Sequence, residues 1–287
     1  MPKAAYHLHA PMRRETSVVF ASPHSSRDYP AWFLDRVLPD AVAMRSSEDA
    51  FVDQLFGAAP QHGASLLLGG APRAFVDLNR NADELDPALI DGVRHAGHNP
   101  RVASGLGVIP RVVSGGRAIY GGKISLREAR QRIDQYWRPY HAALTSELNR
   151  AHEAFGNAIL IDCHSMPHEA LDGCVRGGVR RPDVVLGDRF GASASREITE
   201  RIETAFTRAG LCVMRNTPFA GAYVTQAYGR PPRGRHAVQV EIDRALYMDE
   251  KTITPNANFE AFSTLMAGIV AELADIGRPI QMPLAAE

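Results

Sequence analysis

Polar side chains stand where three apolar, strand-like runs of the sequence end. They are two histidines and three carboxylates, namely His24, Asp162, His164, Glu241 and Asp243. Asp162 and His164 are two residues apart, so on a strand both side chains point to the same face. In open α/β sheets, ligand sites gather outside the carboxyl ends of the strands. We therefore expect these side chains to meet at one edge of a sheet.

This combination of residue types suits a mononuclear metal site. Catalytic zinc usually has three His, Glu or Asp ligands and one open position for water. The metal lowers the pKa of that water to about 7, and a carboxylate must take the proton that the water loses. The sequence leaves the acidic ligand and the base open among Glu48, Asp49, Asp162, Glu241 and Asp243. The alternative is structural: the histidines form ordinary hydrogen bonds, and the acid within residues 238–242 pairs with an arginine.

A second stretch with chemical potential lies at residues 73–80. Its donors Arg73, Asn79 and Arg80 could hold a carboxylate, since guanidinium matches that group in bidentate fashion. The alternative is a surface ion pair, for example between Arg80 and Asp83. A nucleophilic serine is less favoured, because the serines that follow the histidines are not part of a GxSxG elbow.

Strands alternate with helices along the chain, which indicates a three-layer α/β/α sandwich with a mixed, mostly parallel sheet. The expected strands lie at 17–22, 64–68, 73–80, 159–163, 183–186, 211–215 and 237–243. The expected helices lie at 30–38, 46–56, 125–155, 195–209 and 258–276. Pro139 is predicted to kink or split the third helix. Residues 81–122 and 216–234 are predicted to be long loops, and we expect one domain over residues 1–287.

The composition excludes several classes of protein. Lys+Arg and Asp+Glu both number 32, so the formal net charge is zero and gives no reason to expect nucleic acid or a membrane surface as a partner. The three cysteines form no CxxC pair, which argues against a disulfide framework and fits a reducing compartment. No apolar run approaches the roughly 20 residues that a membrane-spanning helix needs. We expect a soluble, cytoplasmic protein that acts on a small molecule.

The chemical stretches occur in an order that resembles the N-formylglutamate amidohydrolase family. The resemblance covers residues 18–250, nearly the whole chain. The matching motifs are SPHS at 22–25, EDAFVD at 48–53, VDLNR at 76–80, YWRPYH at 136–141, DCHSM at 162–166, GAYVT at 221–225 and EIDRALYM at 241–248. Each motif is short, but the ordered set is specific.

The resemblance implies a hydrolase-like fold, similar to that of zinc carboxypeptidases and aspartoacylases, with a mixed sheet between helices. It implies hydrolysis of N-formyl-L-glutamate to formate and L-glutamate, the last step of one route of histidine degradation. One Zn²⁺ ion is implied on His24, His164 and either Glu48 or Asp49, with Glu241 as the general base. The implied contacts to the substrate or its oxyanion are Arg73, Asn79, Arg80, Tyr223 and Thr225.

Several alternatives stay open from the sequence. The chain could hydrolyse a related N-acyl amino acid, bind an acidic metabolite without catalysis, or be an iron oxygenase with two histidines and one carboxylate. Supporting or structural roles are expected for Asp162, Asp243, His141 and His168. The candidates for binding a second substrate carboxylate are Lys123, Arg230 and Arg235.

Overall fold

A seven-stranded mixed sheet forms the centre of the molecule in the computed structural model, which describes residues 1–94, 99–174 and 180–279. Two further pairs of very short strands lie outside this sheet. In chain order the strands are β1 (Tyr6–His9), β2 (Val18–Ser22), β3 (Ser65–Gly69), β4 (Ile90–Asp91), β5 (Ile124–Ser125), β6 (Ala158–Met166), β7 (Val184–Gly187), β8 (Val213–Arg215), β9 (Arg235–Asp243), β10 (Met248–Asp249) and β11 (Thr254–Pro255).

The strands of the large sheet lie in the order β1-β3-β2-β6-β9-β7-β8. Its centre, β3-β2-β6-β9, is parallel, whereas β1 and β7 run antiparallel to their neighbours β3 and β9. The carboxyl ends of β2, β6 and β9 therefore meet at one edge. In the register of β6 and β9, His164 lies opposite Glu241. The expected mixed, mostly parallel sheet is confirmed, and its topology brings the polar strand ends together.

Helices cover both faces of the sheet. They are α1 (Ala31–Leu34), α2 (Ala41–Arg45), α3 (Val52–Leu55), α4 (Pro100–Ala103), α5 (Leu126–Arg132), α6 (Arg138–Phe155), α7 (Arg196–Arg208), α8 (Tyr223–Tyr228) and α9 (Phe259–Asp275). One buried core joins α3, α7 and α9 to the sheet, and the other joins α5 and α6 to its opposite face. Alternate residues of β2 serve the two cores, with Val18 and Phe20 in the first and Val19 and Ala21 in the second.

The predicted long helix is continuous but not uniform. A π-helical segment, Ile133–Trp137, joins α5 to α6 and lies directly before the turn that contains Pro139. A π segment changes the hydrogen-bond register, so the missing N–H of proline falls where the regular pattern is already interrupted. Pro139 therefore does not split the helix. Among the described residues, none of the helices is both long enough and apolar enough to cross a membrane.

Some predicted elements differ from the structure. Residues 73–80 form a buried irregular segment instead of a strand, because their backbone bonds to other groups: Asp77 N donates to Val108 O at 2.8 Å, and Arg132 Nη1 donates to Phe75 O at 3.2 Å. The helix expected at 30–38 is only α1, and the one expected at 46–56 is only α3. The predicted loop at 216–234 contains α8, and the exposed edge strand β1 carries no apolar pattern that would have revealed it.

Candidate active site

Two histidines and one aspartate converge where β2 and β6 end. His24 follows β2, His164 lies in β6, and Asp49 lies in the turn before α3. All three are buried, and one ligand atom from each lies within 4.8 Å of the others. Asp49 Oδ2 is 2.8 Å from His164 Nδ1 and 3.3 Å from His24 Nδ1. Asp49 N also donates to His24 O at 3.0 Å, which fixes this turn against the end of β2.

Each histidine has a carboxylate on its other ring nitrogen. His24 Nε2 lies 2.8 Å from Asp77 Oδ1, and His164 Nε2 lies 3.0 Å from Asp162 Oδ1. With a metal bound, the ring protons would lie on the Nε2 atoms, so that both Nδ1 atoms could bind the ion. His24 Nδ1 is buried and has no hydrogen-bond partner among the described residues. An orphaned nitrogen is costly to bury, so the chemistry of this donor set fits a divalent metal.

The charges around Asp49 keep it ionised. Burial by itself raises the pKa of Asp49, but hydrogen bonds and charges from His164 and His24 outweigh it and hold that pKa well below its usual value. Arg244 Nη2 is 3.2 Å from Asp49 Oδ1, which leaves Oδ2 facing the histidines. Burial lowers the pKa of His164, yet Asp162 and Asp49 raise it well above normal overall. A metal would therefore displace a proton from this histidine.

The neighbouring Glu48 faces elsewhere. Its buried carboxylate lies 3.1 Å from Arg45 Nε and is not part of the cluster formed by the two histidines and Asp49. Burial raises the pKa of Glu48. Two consecutive residues in this turn point in different directions, so the longer reach of glutamate does not bring Glu48 to the histidines. Of the two acids left open by the sequence, Asp49 is the one placed to bind a metal.

Glu241 lies on β9 and lines the same cavity as His24, Asp49 and His164. Burial raises the pKa of Glu241 to about 7. The charge of Asp49 also raises this pKa, whereas the charges of His164 and Arg73 lower it. Gln239 Nε2 donates to Glu241 Oε1 at 2.6 Å and fixes the carboxylate. A carboxylate whose pKa lies near neutrality can both accept and return a proton.

The cavity above these groups has a volume of about 530 Å³, enough for a small amino acid derivative. Arg73 and Arg80 line it. Arg73 Nε donates to Asp77 Oδ2 at 3.1 Å. Arg80 donates from Nε to Leu106 O and from Nη1 to Asn79 O, both at 2.9 Å. Both guanidinium groups are thus held in place by the protein.

Other predicted contacts have different positions. Asn79 lines the cavity, but its Oδ1 accepts a hydrogen bond from Val224 N at 2.8 Å and its Nδ2 lies 3.2 Å from His164 Nε2. Tyr223 and Thr225 do not line the cavity: Tyr223 packs on Trp137, and Thr225 Oγ1 bonds to a backbone carbonyl of its own turn. The wall here is the preceding backbone, residues 218–222.

The three candidates for a second carboxylate also lie outside the cavity. Lys123 is exposed and pairs with Asp91 at 3.7 Å. Arg230 and Arg235 line a separate depression at the start of β9, at the opposite end of the strands. They were predicted from charge alone, and charge does not say at which end of the sheet a residue lies.

The sequence does not indicate that three residues support the site: Asp77 beside His24, Gln239 beside Glu241 and Arg244 beside Asp49. Gln239 could have been found, because it is two residues before Glu241 on the same face of a strand. The partner of Asp77 in space lies 53 positions away in sequence, so no local pattern reveals it.

Asp243 bonds to His168 at 2.7 Å rather than to the cluster. Burial lowers the pKa of His141 to about 4, and its ring bonds to Leu78 O and Tyr228 Oη, in a structural role.

Sequence comparisons with known proteins all indicate one family. A family model described as N-formylglutamate amidohydrolase matches residues 16–248. Proteins named N-formylglutamate deformylase are similar in sequence: that of Pseudomonas aeruginosa is 32% identical over 83% of this chain and 85% of its own length. That of Pseudomonas putida is 31% identical over 81% of this chain and 82% of its own length.

Solved structures show the same fold. The crystal structure of N-formylglutamate amidohydrolase from Ralstonia eutropha JMP134 superposes with a TM-score of 0.88, at 32% identity, over 95% of this chain and 98% of that one. A gene product of Agrobacterium tumefaciens shares the fold at a TM-score of 0.64 and 17% identity, over 96% of this chain and 97% of that one. Sequence and structure agree, and the chain belongs to the N-formylglutamate amidohydrolase family.

Proposed function

We propose that this chain is a zinc-dependent hydrolase that converts N-formyl-L-glutamate and water to formate and L-glutamate. The observation that carries the proposal is the buried pair of histidines, each with a carboxylate on Nε2, that aim their Nδ1 atoms at Asp49 beside Glu241. The names of the relatives supply the substrate class. Because the site draws residues from His24 to Arg244, we also propose that residues 1–287 form one catalytic domain.

The metal ligands in this proposal are His24 Nδ1, His164 Nδ1 and Asp49 Oδ2. Two imidazoles and one carboxylate are a common ligand set of catalytic zinc. When bound, the ion would polarise the formyl carbonyl and lower the pKa of water to about 7. Asp77 and Asp162 orient the two rings and make their Nδ1 atoms better donors. Arg244 fixes the remaining oxygen of Asp49.

Glu241 is the proposed general base and general acid. The oxygen of a water molecule attacks the formyl carbon while Glu241 takes a proton from that water. The carbon–nitrogen bond then breaks, and Glu241 returns the proton to the leaving amine, so that formate and L-glutamate result. The pKa of Glu241, raised to about 7 by burial, suits a group that must accept and release a proton near neutral pH.

The arginines of the cavity have separate proposed roles. Arg73 lines the cavity and is bonded to Asp77 through Nε only, so its remaining N–H groups are the proposed donors to the oxyanion that forms on the formyl carbonyl. Arg80 is held by two backbone carbonyls and offers its remaining N–H groups to a substrate carboxylate. Asn79 contributes indirectly, because its Oδ1 accepts a hydrogen bond from Val224 N and so holds the start of α8.

Formate release is the experiment that tests this function. Purified protein, loaded with Zn²⁺, is incubated with N-formyl-L-glutamate, and formate is measured with a coupled formate dehydrogenase assay. We expect formate from this substrate, little from N-acetyl-L-glutamate measured as acetate, and loss of activity after chelation with recovery on Zn²⁺ addition. If the metal-loaded protein releases no formate, the result favours a binding protein without catalysis. If it cleaves the acetyl compound faster than the formyl compound, the result favours a different N-acyl hydrolase.

A further inference from the structure

The outer wall of the cavity, formed by Arg80, Arg101 and residues 104–116, has no acidic lining side chain among the described residues. The acidic residues that line the cavity, Asp49, Asp77 and Glu241, all belong to its floor around the metal-binding cluster. On the outer wall, Arg80 and Arg101 lie together near residues 104–116. Arg73 forms an ion pair with Asp77. Among the described residues, neither Arg80 nor Arg101 has a carboxylate oxygen within 4 Å of its side-chain nitrogens. This wall therefore suits a negatively charged group.

The two arginines of the wall are linked through one backbone unit. Arg80 Nε donates to Leu106 O at 2.9 Å, and Leu106 N donates to Arg101 O at 2.8 Å. Asn99 caps α4, because its Oδ1 accepts hydrogen bonds from Arg101 N at 3.0 Å and Val102 N at 3.3 Å. The backbone of Arg101 is thus fixed relative to Arg80, although the Arg101 side chain is exposed.

The three arginines of the cavity differ in how they connect to the reaction centre. Arg73 is the innermost, because its Nε donates to Asp77 Oδ2 at 3.1 Å and Asp77 Oδ1 lies 2.8 Å from His24 Nε2. Arg80 is bonded to Leu106 O instead, and Leu106 N is bonded to the backbone of Arg101, whose side chain is exposed. The charges of Asp77 and Glu84 also act on Arg80, but neither acid forms an ion pair with it among the described residues. Arg101, as the exposed member of the set, is the outermost.

A formylated dicarboxylic amino acid matches this arrangement. Its α-carboxylate is one bond from the carbon that bears the amide, so it lies close to the reacting bond. Its side-chain carboxylate lies two methylene groups further out. We propose that Arg101 is a specificity residue that binds the side-chain carboxylate of the substrate, beyond the group held by Arg80. This inference rests on the proposed function, and it assigns to Arg101 the role that the sequence left open among residues now found outside the cavity.

The test compares a charged substrate with its uncharged isostere. Formate release is measured from N-formyl-L-glutamate and from N-formyl-L-glutamine, for the zinc-loaded wild type and for Arg101→Ala. We expect Arg101→Ala to lower kcat/KM for N-formyl-L-glutamate by roughly tenfold, chiefly through KM, since a hydrogen-bonded charge pair is lost. For N-formyl-L-glutamine we expect a change of less than about twofold, because no charge is lost there.

Arg117→Ala is the matched control. Arg117 is also an exposed arginine in the same part of the chain, but it does not line the cavity. Arg117→Ala removes the same charge as Arg101→Ala, so it measures how much the net charge alone affects the long-range attraction of an anionic substrate. Arg101→Lys serves as the conservative variant, and it should restore part of the affinity because it keeps the charge but not the planar donor set.

Binding provides a second measurement that does not depend on turnover. In a Glu241→Gln background, which should bind the substrate without cleaving it, calorimetry gives Kd for both formyl compounds with and without Arg101→Ala. A rise in Kd for the glutamate compound alone supports the proposal. Equal losses for both compounds, or no change with either, would overturn it. If the wild type releases no formate from either compound, the proposed function itself fails, a different result from active but unselective variants.

Discussion

The imidazole of His24 lies between two carboxylates, with Asp77 on Nε2 and Asp49 beside Nδ1. The same aspartate contacts His164, whose second nitrogen faces Asp162. Acids and imidazoles therefore alternate along one buried chain of five side chains. Each histidine thus has an acid on its second nitrogen, and each orienting acid fixes a ring on which a divalent ion would depend.

Glu241→Gln tests the base at the residue scale. The substitution keeps the size of the side chain and its place beside Gln239 but removes the ability to take a proton. We expect kcat to fall by about 10²- to 10⁴-fold, the usual contribution of a general base, while zinc content stays at that of the wild type. Kinetics of formate release and elemental analysis of the purified variant provide the two measurements.

The control for this variant is Glu153→Gln, which changes an exposed carboxylate outside the active-site cavity. It should leave kcat within about twofold, because a substitution far from the site removes no interaction of the transition state. A Glu241→Gln variant that keeps more than about a tenth of the wild-type kcat, with normal zinc content, would contradict the assignment of Glu241 as the base.

At the scale of elements, the register of β6 against β9 decides which side chains meet. His164 lies opposite Glu241, and Asp162 lies opposite Gln239, so all four point to the cavity side of adjacent parallel strands. A shift of one residue would turn Glu241 to the opposite face of the sheet. The buried apolar residues of both strands, such as Ile161 and Val240, hold this register because they alternate with the polar ones.

The end of β7 packs closely against the cavity wall. A Cβ atom added to Gly187 would lie 2.5 Å from Gly221 N and 2.7 Å from Ala220 C. We expect Gly187→Ala to push residues 219–221 into the cavity, to raise KM severalfold and to lower the free energy of unfolding by about 1–3 kcal/mol, as overpacking usually does. Denaturant unfolding and steady-state kinetics measure the two effects.

Gly268→Ala is the matched glycine control. Gly268 lies in α9, and a Cβ atom there meets nothing within 4 Å. Alanine should stabilise this helix by about 0.5–1 kcal/mol and leave KM unchanged. If Gly187→Ala behaved like Gly268→Ala in both measurements, the close packing of β7 on the cavity wall would not matter for binding.

For the whole molecule, the site joins the two halves of the chain. The side chains that could bind a metal come from residues before α3 and from the central strand β6, so an ion would connect elements that lie 115 positions apart in sequence. Ligands that bind only the folded state stabilise it by mass action. The metal should therefore contribute to the stability of the fold as well as to catalysis.

Removal of the metal tests this contribution. At about 100 times its Kd, an ion adds roughly 2.7 kcal/mol, so we expect Zn²⁺ to raise Tm of the chelator-treated protein by roughly 5 °C or more. His24→Gln should lose this response, because one ligand nitrogen is gone. Differential scanning fluorimetry with and without Zn²⁺ measures the shift, and equilibrium dialysis measures binding independently.

His168→Ala is the control for nonspecific zinc binding to histidine. His168 is about half exposed and pairs with Asp243 outside the metal-binding cluster. It should keep the full shift in Tm. If Zn²⁺ raised Tm of His24→Gln as much as that of the wild type, the metal would bind elsewhere. If Zn²⁺ did not raise Tm of the wild type, the proposed metal site would be wrong.

The amino-acid sequence is enough to predict the α/β class, most strands and helices, and the meeting of His24, His164 and Glu241 at strand ends. These features depend on local patterns: apolar runs that end in polar groups, and residues two apart that share a face of a strand. The ordered motifs added the family, which the comparisons confirm. Such signals survive without coordinates because each occupies a short stretch of chain.

Features that depend on contacts between distant residues are visible only in the folded molecule. It alone shows that Asp49 faces the histidines while Glu48 faces Arg45, since the direction of a side chain in a turn depends on what packs against it. It shows that Asp77 supports His24, and that Arg101 lines the cavity. Residues 73–80 and the neighbouring loops form no regular periodic element, so their positions follow from packing rather than from any pattern in the sequence.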